Sequence, residues 1–306
     1  MHAHSHTERL AGDRRVLAVA AVLIAGLMAG EIAAGVVAGS LALLADAGHL
    51  LTDVGAIAFA LVAAAMAGRP PRGRFTFGFS RLEILAAQAN GIALLLVGVW
   101  IVYAAVRRLV APPDVRGGVV LVVALAGVAV NLVATGLLAR ASRESLNVRG
   151  VFLHVATDFA AFAGTAVAGA LVLATGWDRF DPIAGLVVAA LVFRSAVVLL
   201  RESTRIFMEG SPGDIDPEAV GRIVVTQPDV VEVHDLHVWT VTSGFPALAA
   251  HVLVEPGADC HGVRRGLEAL LSERFGLTHT TLQVDHASGS RQAVELGEPY
   301  RRETPV

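Results

Sequence analysis

Apolar residues in this chain gather into long blocks instead of recurring at the spacing of one helix face. From Val16 to Gly68 the sequence is apolar almost throughout, broken only near Gly39-Ser40. At a rise of about 1.5 Å per residue this block is roughly twice the thickness of a bilayer core, which predicts two spanning helices joined by a tight turn. Further blocks cover Leu82–Val106, Gly117–Ala139, Gly150–Thr175 and Pro182–Leu200. Each reaches or approaches the ~20 residues a spanning helix needs, so six transmembrane helices are expected. The first block runs straight into a second instead of ending in a polar mature sequence, which argues against a cleaved signal peptide.

The pattern changes at Ser211-Pro212-Gly213. Asp216-Pro217-Glu218 has the form of a helix start, with acids suited to the positive helix end. Strand-like runs follow at Val230–Val241 and Ala247–Glu255, then a helical stretch over Cys260–Phe275 and a last strand at His279–Asp285. The expected architecture is therefore an α-helical membrane domain followed by a small αββαβ domain of the α+β class. The expected divisions are a His-containing tail (1–15), the six-helix domain (16–209), the C-terminal domain (210–290) and a disordered tail (291–306).

Composition agrees with a membrane protein. Of 306 residues 55% are apolar and only 17% charged, and mean hydropathy is +0.63. The single cysteine, Cys260, excludes an intramolecular disulfide framework and a multi-cysteine zinc ribbon. A formal net charge of −3 gives no electrostatic reason to expect nucleic acid as a partner. Arginines cluster in the N-terminal tail, in the second and fourth loops and after the last helix, while the opposite loops hold few. The positive-inside bias predicts a multi-pass protein of the plasma or inner membrane with both termini in the cytoplasm.

Ionisable side chains are costly in hydrocarbon, so each one within a block needs a reason. Four of them form a repeated pattern: His49-Leu50-Leu51-Thr52-Asp53 in the second block and His154-Val155-Ala156-Thr157-Asp158 in the fifth. Residues four apart share a helix face. Two such faces opposed would supply two imidazole nitrogens and two carboxylate oxygens, a donor set suited to tetrahedral zinc. A divalent cation would neutralise both acids, and protons could replace it by occupying the carboxylates or charging the histidines. Such a site is the minimum required of a metal/proton exchanger. A single intramembrane His or Asp is as often a satisfied interhelical hydrogen bond, but two matched copies are poorly explained that way. Asp46 is read as an outer-shell or packing group. For the two pairs to meet at one depth, the fifth helix must begin well before Gly150, near Glu144.

At these residues the chain resembles the cation diffusion facilitator family of zinc/proton antiporters. The resemblance rests on Leu44-Ala45-Asp46-Ala47-Gly48-His49-Leu50-Leu51-Thr52-Asp53, on Phe77-Gly78-Phe79-Ser80-Arg81-Leu82-Glu83 and on His154-Val155-Ala156-Thr157-Asp158. Asp181-Pro182 and His234-Asp235-Leu236-His237-Val238-Trp239 also match. It covers about residues 16–286 and implies a homodimer in the lipid bilayer, with a cytoplasmic ferredoxin-like domain and alternating access. It places one Zn²⁺ site per protomer at His49, Asp53, His154 and Asp158, with H⁺ as the counter-ion, and associates His at position 49 with preference for zinc over cadmium. It further implies zinc in the C-terminal domain at His234, His251 and Asp285, where Gln283 replaces a His found in some members and His286 is a possible substitute. No metal is expected in the loop Arg69–Ser80, where Phe79 stands in place of a common His. Arg81 and Glu209 are expected to form a charge interlock. The His2-Ala3-His4-Ser5-His6 tract and Cys260-His261 are weaker metal candidates.

The function expected is export of Zn²⁺ from the cytoplasm in exchange for H⁺. The alternatives are a broader Zn/Cd/Co/Fe exporter and a membrane metal sensor that does not transport. A membrane metalloenzyme is disfavoured, because the chain lacks His-Glu-x-x-His and a four-ligand set leaves no open coordination position.

Overall fold

The computed structural model describes residues 25–67, 70–141, 147–287 and 300–301. Six apolar helices occur among them: α1 (Ala25–Ala38), α2 (Leu41–Ala67), α3 (Leu82–Val110), α4 (Gly117–Ala141), α5 (Asn147–Thr175) and α6 (Phe180–Phe207). Two of these, α3 and α6, are long and apolar enough over their described residues to cross a membrane. The break between α1 and α2 falls at Gly39-Ser40, as the pattern predicts. Gly39 adopts φ 68°, a left-handed conformation that costs an L side chain energy and ends a helix sharply. The described part of α5 begins at Asn147, three residues before the apolar block; Glu144, near which the helix was expected to start, lies outside the described residues.

The chain divides into two compact units, one drawn from Met1–Phe59 and Ala89–Leu200, the other from Ala60–Gln88 and Arg201–Val306. In the first unit small residues let helices approach closely, as in membrane bundles. A Cβ on Gly117 of α4 would lie 2.8 Å from the Gly169 carbonyl oxygen of α5, and Gly127 of α4 lies under the Phe162 ring of α5. Large apolar side chains point outward, among them Val36, Leu96, Tyr103, Val122 and Leu173. A helix apolar on its outer face suits lipid rather than water.

In the second unit, α7 (Pro217–Val225), β1 (Val230–Thr242), β2 (Phe245–Val254), α8 (Cys260–Phe275), β3 (His279–His286) and β4 (Tyr300–Arg301) follow in order. Asp216 caps α7 by accepting from the Glu218 N–H, and Pro217 occupies the first turn, where a missing N–H costs nothing. Sheet order is β3-β2-β1-β4. β1 and β2 form an antiparallel hairpin, and β2 and β3 run parallel, joined by α8. Val220 and Val224 of α7 and Leu267 and Leu271 of α8 pack with Val233, Val238, Leu248, Val252 and Val254 of the sheet. His251, Gln283 and Asp285 alternate with these core positions and so share the other face.

The expected disordered tail differs at two residues. Tyr300 and Arg301 pair as β4 with Val233 and Glu232 of β1. The reason is chemical. Glu232 is 4% exposed and needs a cation, which Arg301 supplies at 3.0 Å, while Gly221 of α7 leaves room for the Tyr300 ring. A two-residue strand has too little hydrophobic periodicity to be read from sequence. The rest of 291–306, and all of 1–15 with its His tract, lie outside the described residues.

Candidate metal centres

In the first unit, His49 lies on α2, 7% exposed, one turn below the buried Asp46. A second acid, Glu31 of α1, is fully buried in the same unit. His49 and Asp53 belong to one uninterrupted helix, as do His154 and Asp158 on α5, so both His-x-x-x-Asp pairs have the i, i+4 geometry of a single face. The side chains of Asp53, His154 and Asp158 lie outside the described set.

Alanines of α2 and α5 recur in shared buried clusters of this unit. Ala42 of α2, Ala168 of α5 and Ala184 of α6 share one buried cluster. Further along, Ala45 of α2 and Ala161 of α5 share another with α3 and α6 residues. Moving toward the C-terminus of α2 thus means moving toward the N-terminus of α5.

In the second unit, His234 of β1 and His251 of β2 are direct cross-strand partners, with rings 5.4 Å apart and nearly perpendicular. Asp235 joins them, and one ligand atom from each of His234, Asp235 and His251 lies within 4.8 Å of the others. Consecutive strand residues normally face opposite sides. Here the β1–β2 register shifts between His234 and His237, and Asp235 takes φ 49°, so a bulge turns the carboxylate toward the histidines. Asp235 Oδ2 lies 3.7 Å from His251 Nδ1, and Glu232 Oε1 lies 3.5 Å from His234 Nδ1. The cluster borders a cleft of about 330 Å³ that includes His237, Thr281 and Gln283. Two imidazoles and one carboxylate make a three-ligand set with a position open toward the cleft.

Asp285 is not part of this cluster. It sits exposed on β3 and accepts a 2.8 Å hydrogen bond from Gln283, the residue facing His251 in the neighbouring strand. His286 is likewise elsewhere, donating to the Ala258 carbonyl at 3.0 Å and lying 3.6 Å from Cys260 Sγ. Asp235 was the member that sequence reasoning missed. Its only signal was an acid next to a histidine, and alternation places such neighbours apart unless a bulge intervenes. Arg81 and Glu209 meet at 3.2 Å, but their side chains are 40% and 66% exposed, so this interlock contributes little energy by itself. Phe79 stacks on Phe75, their rings 4.9 Å apart.

The fold defines a class: a polytopic helical membrane protein with an appended α+β domain that carries a His/Asp cluster. The family model for the cation efflux transmembrane domain matches residues 17–208, and that for the cation efflux protein cytoplasmic domain matches residues 212–287. The chain belongs to the cation efflux family. It is 39% identical over 290 residues to the zinc transporter ZitB of Escherichia coli (strain K12), with 93% of this chain and 92% of that one covered. It is 35% identical over 290 residues to the cadmium, cobalt and zinc/H(+)-K(+) antiporter of Bacillus velezensis, at 93% and 92% coverage. A solved structure, the metal-bound C-terminal domain of the CzcD transporter from Cuprividus metallidurans, matches at 32% identity over 23% of this chain and 97% of that chain, with a TM-score of 0.22.

Proposed function

We propose that this protein exports Zn²⁺ from the cytoplasm in exchange for H⁺, working as a homodimer with six spans per protomer and both termini cytoplasmic. The observation that carries the reading is the pair of alanine levels joining α2 to α5. Extended in the same antiparallel sense, that register would bring the His49–Asp53 stretch of α2 beside the His154–Asp158 stretch of α5. The alanines permit a close helix approach, and the two stretches together then offer two imidazoles and two carboxylates. The transported ion loses its water to these four residues. It leaves when protons compete for them, since metal ligands must be deprotonated. Imidazole as a class changes protonation near physiological pH, which suits such competition.

The relatives' names support a divalent-cation substrate and name zinc in both cases. The name of the Bacillus relative also includes cadmium and cobalt, which keeps a broader exporter as the second reading. The His234–Asp235–His251 cluster binds a further zinc ion with a regulatory or structural role, and Asp285, on the neighbouring strand β3, stands outside that set. The His49 imidazole favours zinc over harder cations.

The test is uptake into inside-out proteoliposomes under an imposed pH gradient. Zinc should accumulate when the lumen is acidic and stop when the gradient is collapsed. Equal rates for cadmium and cobalt favour the broader exporter. Zinc binding with no flux under any gradient points to a sensor and removes the transport reading.

A further inference from the structure

We propose that Asp181, together with Ser40 and Arg108, is a positioning device that sets the rotational phase of α2 and so aims His49 and Asp53; it rests on the transport reading above. The α1–α2 corner is only two residues long, and Ser40 and Leu41 there are fully buried. Helix ends leave backbone groups unsatisfied, and at a buried end no water is at hand to satisfy them. The corner solves this with groups from other helices. Asp181, 1% exposed in the first turn of α6, accepts from the Leu41 N–H at 2.6 Å, from the Ala42 N–H at 3.3 Å and from the Ser40 hydroxyl. Ser40 Oγ in turn accepts from the Leu43 N–H at 3.2 Å. The cap of α2 is therefore borrowed from α6.

Arg108, near the end of α3, completes the arrangement. Its guanidinium donates to the Gly39 carbonyl and lies 3.7 Å from Asp181 Oδ2. The cation thus sits at the negative end of α1 and the anion at the positive end of α2, each where the helix dipole favours it. The Arg116 N–H adds a 3.0 Å bond to the Ala38 carbonyl.

The consequence is geometric. His49 lies about two turns from this cap on the same helix, and each residue of helical slip rotates a side chain by about 100°. A carboxylate bonded to two successive N–H groups of α2 and to its capping serine admits one register only. α2 is thereby fixed to α3 and α6 at this end, while its far end is not held by these bonds. The corner serves as the pivot about which the ligand-bearing helix can move without losing its facing.

The experiment uses full-length protein in proteoliposomes and reads zinc KM and maximal rate separately, normalised to folded protein. Asp181→Ala should raise the zinc KM at least tenfold, with zinc binding at the C-terminal cluster unchanged. Asp181→Asn keeps one acceptor oxygen but leaves Arg108 without its anion, so it should fall between. Adding Arg108→Gln to Asp181→Asn should bring KM back to within about twofold of the parent. A folded Asp181→Ala with parental KM, or variants that lose only folded protein at unchanged KM, would reduce Asp181 to a stability role and overturn the proposal. If Asp181→Ala does not fold, a parental KM in Asp181→Asn or no recovery in the double variant overturns it equally. A parent that moves no zinc defeats the transport reading and this inference with it.

Discussion

The two candidate metal centres are built on opposite principles. The membrane pair relies on regular helices, in which a spacing of four residues puts imidazole and carboxylate on one face. The sheet cluster relies on an irregularity, a bulge at Asp235 that breaks the alternation of β1 to bring a third ligand beside His234 and His251. The first would offer four ligands with two negative charges. The second borders an open cleft and offers three with one carboxylate. A transport site must bind and release along a path through the bilayer, and complete neutralisation of the ion makes that passage possible. A site on a soluble domain can leave coordination to water or a partner.

The sharpest way to break this contrast is to remove one acid from each centre. Asp158→Ala should reduce zinc flux by more than ~100-fold, beyond the 10–100-fold typical of losing an outer-shell partner, while zinc binding at the C-terminal cluster persists. Equal loss from Asp235→Ala would erase the distinction between the sites. His49→Asp should next be examined in competition transport. It replaces a borderline nitrogen by a hard oxygen, and the ratio of manganese to zinc flux should rise several-fold. Asp235→Ala should weaken zinc binding to the C-terminal domain by roughly 10–100-fold, measured by competition with a chelating dye, and Asp285→Ala should weaken it less.

How far these centres were legible follows from the same contrast. The six apolar helices, the break at Gly39-Ser40, the Asp216 cap and the α8 limits at Cys260 and Phe275 follow from local pattern. The His-x-x-x-Asp pairs were visible because a helix keeps its period, so spacing alone determines the face. Asp235 was hidden because a bulge depends on pairing with β2, not on the residues beside it. Tyr300 and Arg301 were hidden for a similar reason: the space at Gly221 and the charge of Glu232 are brought to them by the fold. The Asp181 clamp lay between these cases. Its acid at a helix start was readable, but its bonds to Leu41 and Ala42 cross 140 and 139 positions of sequence.

Smaller effects sharpen the picture of the C-terminal domain. Asp216→Ala should lower its stability by about 1 kcal/mol through the lost cap, seen as faster hydrogen exchange in α7 of the full-length protein. Asp259 caps α8, and bonds from the Gly262 and His261 N–H groups, with Arg265 nearby, hold its carboxyl below the ordinary carboxylate range. A lowered pKa in the folded state contributes stability above the unfolded value and loses it as pH falls through the folded one. Exchange in α8 should therefore differ between Asp259→Asn and the parent at neutral pH and converge in acid.

The central claim is that one cation is held jointly by α2 and α5. It is tested most directly by zinc X-ray absorption on full-length protein carrying His234→Ala and His251→Ala, with and without Asp158→Ala. The account predicts bound zinc with four nitrogen or oxygen ligands at about 2.0–2.1 Å, two of them imidazole, and loss of that spectrum when Asp158 is removed. A spectrum unchanged by Asp158→Ala, or no retained zinc once the sheet cluster is gone, would contradict it.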